Sequence, residues 1–304
     1  MIDFTECKTL KKAYGGMNGS KKCIIYNGEP YMLKLPTHPK RKTDLQYTNG
    51  CISEFVGCHI YEMLGIDVQE THIGSYSYAG KQYVAVICKD FVKPGFILQD
   101  FASIKNQVIE SSTGGSDTEL NEILATIEYQ NILDPVIILT RFWDMFVIDT
   151  LLGNFDRHNG NWGFLYNVYE DTMELAPVYD CGSCLFPQAD ESMINRILTD
   201  IGELHTRIFN YPNSAIKVDG KKLSYYDFWQ TTTDKMCLAE LCKIFPKIDF
   251  GKINSFIDSL DFIDELQKQF YKTMLKARYD LILVPAYKRA INEEHTSIPT
   301  KMNF

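Results

Sequence analysis

The sequence lacks several features that mark whole classes of protein. Its net charge is −8, so it has no excess of positive charge with which to hold nucleic acid nonspecifically. None of its six histidines stands four residues from another, so the ligand pair of a zinc-hydrolase helix is missing. Cys181 and Cys184 form one CxxC pair, but no second pair stands at zinc-ligand spacing. These absences argue against a specific nucleic-acid partner and against zinc chemistry.

Long uninterrupted apolar runs are also missing. The most apolar stretch, residues 132–152, contains Asp134, Arg141, Asp144 and Asp149, so it predicts a buried helix and no transmembrane segment. The first residues, "MIDFTECKTL", lack the basic stretch and apolar core of a secretory signal. Nine cysteines at irregular spacing are typical of free thiols in a reducing compartment. Together these features predict a cytoplasmic protein.

The composition is that of a folded protein. The chain has 304 residues, of which 45% are hydrophobic and 23% charged, so it can bury a substantial core in one large domain or two lobes. Residues 1–92 have a β-rich pattern. Within them Asn27-Gly28 separates two apolar runs and indicates a hairpin, because both residues tolerate positive φ. Strands are expected over 9–14, 21–26, 30–35, 72–78 and 81–91, and a helix over 48–64.

Residues 93–304 have a mainly helical pattern. Asp134-Pro135 is a helix start and Gly153 is a helix stop. Two short strands are expected over 162–168 and 173–180, and helical periodicity returns over 191–209, 234–246 and 252–288. The predicted fold class is therefore α+β and bilobal, with a small β-rich N-lobe that carries one helix (1–92) and a larger, mostly helical C-lobe (93–304).

Three features of the first 92 residues suit a nucleotide. The glycine-rich stretch "GGMNGS" would let backbone N–H groups approach phosphate oxygens, although a tight turn is its commoner use. Lys34 follows one hairpin later, on the strand face of Met32 and opposite Leu33. Glu54 lies beside the apolar stripe of the next helix, where it would either hold Lys34 or face solvent.

A polar island, "DRHNGN", interrupts apolar sequence after the long helix. Asp156 and Asn161 stand five residues apart in it, and Asp180 follows in "YDCGS" after two short strands that would return the chain to Asn161. Carboxylate and carboxamide oxygens suit Mg²⁺, which keeps several waters and is shared with substrate phosphates. Gly182 is expected to permit the sharp turn beside the metal-binding aspartate.

In this order the glycine loop, Lys34, Glu54, "GNFDRHNGN" and "YDCG" resemble the protein-kinase-like superfamily, and within it the HipA-like bacterial serine/threonine kinases. Asp156, His158 and Asn161 meet the Asp-x-His-x-x-Asn pattern, whereas ordinary protein kinases have the order His-Arg-Asp. The resemblance covers about residues 10–190 through these motifs.

The resemblance implies a protein-kinase-like fold and transfer of phosphate from ATP, with Mg²⁺, to a serine or threonine hydroxyl of a protein substrate, with autophosphorylation. Asp156 would orient the accepting hydroxyl with support from His158, and Asn161 and Asp180 would bind Mg²⁺. The nucleotide would contact Gly15, Gly16, Gly19, Ser20, Lys34, Glu54, Lys89 and Phe91. Ser20 is also a candidate autophosphorylation site.

Two other functions compete with this interpretation. The loop is also close to that of phosphatidylinositol 3/4-kinases, but the small size and the lack of a membrane-binding segment count against a lipid kinase. A nucleotide-binding pseudokinase or interaction module is disfavoured because Asp156, Asn161 and Asp180 are all present. HipA proteins usually carry a β-rich domain before the kinase core, and a glycine loop at residue 15 predicts a free-standing kinase instead. The protein is expected to be cytoplasmic. The resemblance to a family member that enters host cells implies that it could also be translocated into a host cell.

Overall fold

A computed structural model describes residues 1–15, 21–36, 48–109 and 113–297. Its first part forms a six-stranded sheet in the order β1-β5-β6-β4-β3-β2. All neighbouring strands are antiparallel except β1 and β5, which are parallel. The strands are β1 (Ile2–Asp3), β2 (Thr9–Leu10), β3 (Lys21–Tyr26), β4 (Glu29–Lys34), β5 (Thr71–Tyr78) and β6 (Lys81–Lys89).

The two predicted hairpins of this sheet are confirmed. Asn27 and Gly28 have φ of 51° and 84°, and Ala79 and Gly80 have φ of 51° and 76°, as tight two-residue turns require. The helix α1 (Gly50–Met63) is also as expected and ends before Gly65, whose φ is 77°. The strand expected over 9–14 is shorter, because only Thr9–Leu10 pairs with β3.

A second sheet of three strands pairs β7 (Phe96–Asp100) with β8 (Gly163–Asn167), and β8 with β9 (Thr172–Leu175). The sequence did not predict β7. The strand expected over 173–180 stops at Leu175, since Pro177 has no N–H to donate to a ladder. Beyond it Val178 exchanges backbone bonds with the segment that follows α1, at Asp67 and Gln69. These two hydrogen bonds join the segment that precedes Asp180 to the segment that follows α1.

The remaining chain is helical apart from a short hairpin, β10 (Lys217–Val218) and β11 (Lys221–Lys222). The central helix α4 (Pro135–Leu152) begins as predicted, with the Asp134 side chain accepting the N–H of Val136 and Pro135 in the first turn. Because α4 is buried on nearly every side, it is the centre of the largest hydrophobic cluster. In chain order, the α-helices after α1 are α2 (Phe101–Ile109), α3 (Leu120–Tyr129), α4 (Pro135–Leu152), α5 (Glu191–Thr199), α6 (Ile201–His205), α7 (Tyr225–Thr231), α8 (Lys235–Ile244), α9 (Phe250–Asp258), α10 (Glu265–Arg278) and α11 (Val284–Ser297).

Candidate active site

A cleft of about 290 Å³ lies between the first sheet and the loops at the ends of α4 and β9. Residues from eight separate stretches of sequence line it, and several of them are charged or amide-bearing. They are Tyr14, Gly15, Lys21, Met32, Lys34, Gln69, Asp90, Phe91, Val92, Leu98, Asp100, Gly160, Asn161, Tyr179 and Asp180. The cleft therefore gathers Lys34, Asn161 and Asp180, which the sequence analysis selected from distant positions.

Lys34 enters the cleft from the last residue of β4. Met32 shares its face of the strand, whereas Leu33 is buried in a hydrophobic cluster on the other face, as the alternation predicts. The Lys34 Nζ donates to Glu54 Oε2 at 2.7 Å and to Asp180 Oδ1 at 3.0 Å. Burial opposes the charge of Lys34, but Asp180 and Glu54 outweigh it and hold the pKa of Lys34 well above its usual range.

Glu54 is a buried ion-pair partner of Lys34 and does not face solvent. Only 1% of its side chain is exposed. While Oε2 accepts from Lys34, Oε1 accepts the backbone N–H of Cys181 at 3.0 Å. One carboxylate on α1 therefore holds both the lysine of β4 and the backbone that follows Asp180.

Asp180 itself adopts the left-handed conformation, with φ of 59°. Aspartate tolerates this region better than most residues do. Gly182 lies in the turn that follows Asp180, but its own φ is not left-handed. A Cβ at Gly182 would lie 3.1 Å from Glu54 Oε2, so the glycine allows close approach of the loop to that carboxylate. Lys34 lowers the pKa of Asp180 to about 2, so its carboxyl is ionised.

The loop after α4 is held by its own side chains. Gly153 ends the helix with φ of 63°, as predicted. The Asn154 side chain donates to Asp149 Oδ1 at 2.9 Å and accepts the N–H of Asp156 at 3.1 Å. The Asn161 Nδ2 donates to the Asp156 C=O at 2.8 Å. This last bond leaves the carboxamide oxygen of Asn161 as the atom that can coordinate a cation.

Asp156 and His158 lie beside the cleft and do not line it. Burial raises the pKa of Asp156, His158 opposes that rise, and the nearby Asp180 adds to it. The His158 Nδ1 accepts the N–H of Gly160 at 3.0 Å, which makes the histidine part of the loop's turn. Asp156 therefore stands close enough to Asp180 for the two carboxyls to interact.

The sequence analysis missed a buried ion pair that supports this loop. Arg157 and Asp149 are 6% and 1% exposed, and Arg157 Nε donates to Asp149 Oδ2 at 3.0 Å. The Arg157 Nη1 donates to the C=O of Asn161 at 2.8 Å and to the C=O of Tyr179. Arg157 thus ties both predicted metal-ligand segments to α4. A charged residue inside the apolar helix was the available signal, since a buried carboxylate needs a partner.

Lys89 and Phe91, two of the expected nucleotide contacts, are placed differently from one another. Lys89 does not line the cleft, and its backbone is used elsewhere: its N–H donates to Glu70 and its C=O accepts from Gln69 Nε2 at 2.8 Å. Phe91 does line the cleft, between Asp90 and Val92, and its ring lies 5.7 Å from that of Tyr179.

Three residues of the predicted glycine loop, Gly16, Gly19 and Ser20, lie outside the described residues. Gly15 lines the cleft, and its C=O accepts from Lys21 Nζ at 2.7 Å.

Cys181 and Cys184 are buried free thiols. Within the described part of the chain, no three His, Cys, Asp or Glu side chains are grouped so that they could hold a metal ion. A cation in this cleft would therefore need oxygens from Asn161 and from a substrate as well. No helix in the same described part is both long and apolar enough to cross a membrane.

Comparison with known proteins accords with this geometry. The family model of the HipA-like C-terminal domain matches residues 13–248. The chain is 48% identical over 292 residues to the serine/threonine-protein kinase CtkA of Helicobacter pylori (strain J99), which covers 95% of this chain and 89% of that protein. The crystal structure of the H. pylori proinflammatory kinase CtkA matches with a TM-score of 0.90 over 96% of this chain and 98% of that one, also at 48% identity.

A more distant solved structure shares the fold. HipA of Shewanella oneidensis MR-1, in complex with HipB and its operator DNA, matches with a TM-score of 0.53 at 16% identity, over 93% of this chain and 70% of that one. The match to the family model spans most of the chain, and the relative at 48% identity spans nearly all of it. The chain therefore belongs to the HipA-like family and is a serine/threonine protein kinase.

Proposed function

We propose that the protein transfers phosphate from ATP, with Mg²⁺, to a serine or threonine hydroxyl, and that the cleft around Lys34 is where the transfer occurs. The observation that carries the proposal is the chain of contacts from Glu54 through Lys34 to Asp180. Three groups from three distant segments meet there, and each has the chemistry that phosphoryl transfer requires.

The donor atoms in the cleft fit a magnesium ion shared with phosphates. Asp180 contributes an ionised carboxylate, and the Asn161 carboxamide oxygen is not needed by the loop's own bond to Asp156. Only these two protein ligands are expected, because Mg²⁺ usually keeps waters and substrate oxygens in its remaining positions. When bound, the ion would neutralise charge on the phosphates during transfer.

Lys34 is proposed to bind the phosphates of ATP. The buried Glu54 holds the Lys34 ammonium in place, and the same ammonium also contacts Asp180 directly. Glu54 and Asp180 use two of the three donors of this ammonium, so one remains for a phosphate oxygen. The adenine is proposed to bond the backbone of Phe91, which lines the cleft, because the backbone groups of Lys89 and the N–H groups of Asp90 and Val92 already have partners.

Asp156 is proposed to orient the attacking hydroxyl. It is partly buried beside the cleft, and burial raises its pKa, so it is a better proton acceptor than an exposed carboxylate. Catalysis of this reaction depends mainly on positioning and charge neutralisation, so a few fixed groups suffice. Arg157 holds these groups in position, because it binds the segments that carry Asn161 and Asp180.

We further propose that residues 1–92 and 93–304 are the N-lobe and C-lobe of a kinase-like fold. The cleft supports this division, because Lys34 and Glu54 come from the first part and Asn161 and Asp180 from the second. Autophosphorylation, the acceptor role of Ser20 and entry into host cells stay predictions.

The test is an incubation with labelled ATP and Mg²⁺, using a protein substrate in one arm and lipid vesicles containing phosphatidylinositol in the other. We expect transfer to protein and none to lipid. Asp156→Asn and Asp180→Asn should each reduce transfer at least a hundredfold, whereas Asp261→Asn, at an exposed position outside the cleft, should not. Full transfer by both site variants would refute the assignment, and transfer to lipid alone would favour the phosphatidylinositol-kinase alternative.

A further inference from the structure

The hairpin β10–β11 is attached to the loop that contains Asp156. The Asn159 Nδ2 of that loop donates to the C=O of Asp117 at 2.8 Å. The Asp117 carboxylate in turn accepts from Lys217 Nζ at 2.9 Å, and the N–H of Lys217 donates to the C=O of Thr118 at 2.9 Å. These bonds fix β10 against the segment that holds the loop.

The other strand of the hairpin is held from its far end. Leu223 follows β11 directly, and its N–H donates to the C=O of Ile216. Tyr225 then begins α7, and its buried hydroxyl donates to the C=O of Asn154 at 2.5 Å. Because Asn154 and Asn159 stand on either side of Asp156, these bonds hold the flanks of the hairpin to the segment that contains Asp156.

The hairpin carries two lysines directly opposite each other. Lys217 and Lys222 are cross-strand partners and therefore share a face, where like charges are unfavourable. Asp117 neutralises Lys217. Lys222 is exposed, and among the described residues it has no carboxylate partner at ion-pair distance. Its charge nevertheless reaches Asp156, because it helps to lower the pKa that burial raises.

The acidic residues at the turn of this hairpin do not form an ion pair with Lys222. Glu119 accepts the N–H of Gly220 at 2.8 Å and so is bound to the turn, at the end of the hairpin away from Lys222. Asp219 lies in the same turn. The protein as a whole carries a net charge of −8, so a cation without a partner beside Asp156 stands out against the overall charge. A positive charge left in this position would attract an anionic group on whatever approaches Asp156.

We propose that Lys222 binds an acidic side chain next to the accepting serine or threonine, so that the substrates of this kinase are segments with Asp or Glu flanking the acceptor. The inference rests on the proposed function, since it takes Asp156 as the group that receives the hydroxyl. Lys221 provides an internal comparison, because it pairs with Val218 and points to the other face of the hairpin.

The experiment is a positional-scanning library of serine-centred peptides, phosphorylated with labelled ATP and Mg²⁺ by the full-length protein and by two variants. Wild type should prefer Asp or Glu over Lys or Arg at a flanking position. Lys222→Glu should lower the rate with acidic-flank peptides by about fivefold relative to basic-flank peptides, which corresponds to an ion pair of about 1 kcal/mol. Lys221→Glu, on the opposite face, should retain the wild-type preference.

Each outcome bears on a different claim. No phosphorylation of any peptide, and none of the protein itself, would refute the proposed function. Phosphorylation by wild type without an acidic preference, or a preference that Lys222→Glu leaves intact, would refute the assignment of Lys222 alone. Equal losses of rate with acidic-flank and basic-flank peptides would indicate that Lys222 contacts the transferred phosphate, and they would also overturn the proposal. The same loss of acidic preference in Lys221→Glu would show that the effect comes from the general charge of the hairpin, and it would refute the assignment of Lys222.

Discussion

The buried pair of Asp149 and Arg157 allows a sharp test of how the site is held. Replacing Arg157 with Met keeps most of the side chain's volume but removes its donors to Asp149, to the C=O of Asn161 and to the C=O of Tyr179. The carboxylate of Asp149 would then be buried without its cation. Breaking one side of such a pair typically costs about 3–5 kcal/mol of folding free energy.

Asp149 keeps two other donors when Arg157 is lost. The Tyr61 hydroxyl and the Asn154 Nδ2 both donate to its Oδ1, at 2.8 and 2.9 Å. These bonds should bring the cost of Arg157→Met to the lower end of that range, about 3 kcal/mol. Asp149→Asn should destabilise as well, because it leaves the Arg157 charge buried. In the double variant neither charge remains, so its cost should fall short of the sum by about 1–3 kcal/mol.

Denaturant unfolding of the four proteins measures this coupling, and phosphate transfer measured beside it tests function. Arg157→Lys is the informative companion, because it keeps a charge but cannot bind Asp149 and two carbonyls with one planar fork. It should recover more stability than activity. Strict additivity of the two single variants, or full transfer by Arg157→Met, would refute the view that this pair aligns the two loops.

Three further outcomes are expected. Gly182→Ala should fold but transfer phosphate more slowly, roughly tenfold, because its Cβ would press on Glu54 Oε2; steady-state kinetics measures this. Lys34→Ala should raise the KM for ATP more than Glu54→Gln, since the amide of the latter can still accept the N–H of Cys181. Burial raises the pKa of Asp144 to about 6 from 3.8, even though Lys243 pairs with it, so its contribution to stability should fall as pH rises between about 4 and 6. Unfolding of wild type and Asp144→Asn over that range should show the variant gaining stability relative to wild type, and an unchanged difference would contradict the shifted pKa.

Much of the architecture follows from local sequence. The Asn27-Gly28 turn fixes the pairing of β3 with β4, and that pairing decides which face Lys34 occupies. Asp134-Pro135 and Gly153 mark both ends of α4 correctly. Lys34 and Asn161 were selected for a similar reason, because one follows a hairpin turn and the other follows a helix end, whereas Gln69, Leu98 and Asp100 line the cleft without having been predicted.

The features that were missed depend on partners far away in sequence. The strand β7 exists because β8, more than sixty residues later, supplies its hydrogen bonds, and no local pattern in "FILQD" announces that partner. The left-handed φ belongs to Asp180 and not to Gly182, and the glycine at 182 is required instead by the close approach of Glu54. Local sequence shows that a turn is needed there, but which residue adopts it is decided by packing.

The position of α1 is coupled to both halves of the site through Glu54. Its two oxygens bind different segments, the Lys34 ammonium on β4 and the Cys181 N–H after Asp180. Gly57, one turn later on the same helix, packs so closely on Cys181 that a Cβ there would lie 2.8 Å from the Cys181 Cβ. A small movement of α1 away from this loop would therefore break the ion pair with Lys34 and the support of Asp180 at once. Since the two interactions share one carboxylate, Lys34 and the loop that follows Asp180 cannot be displaced independently along this helix.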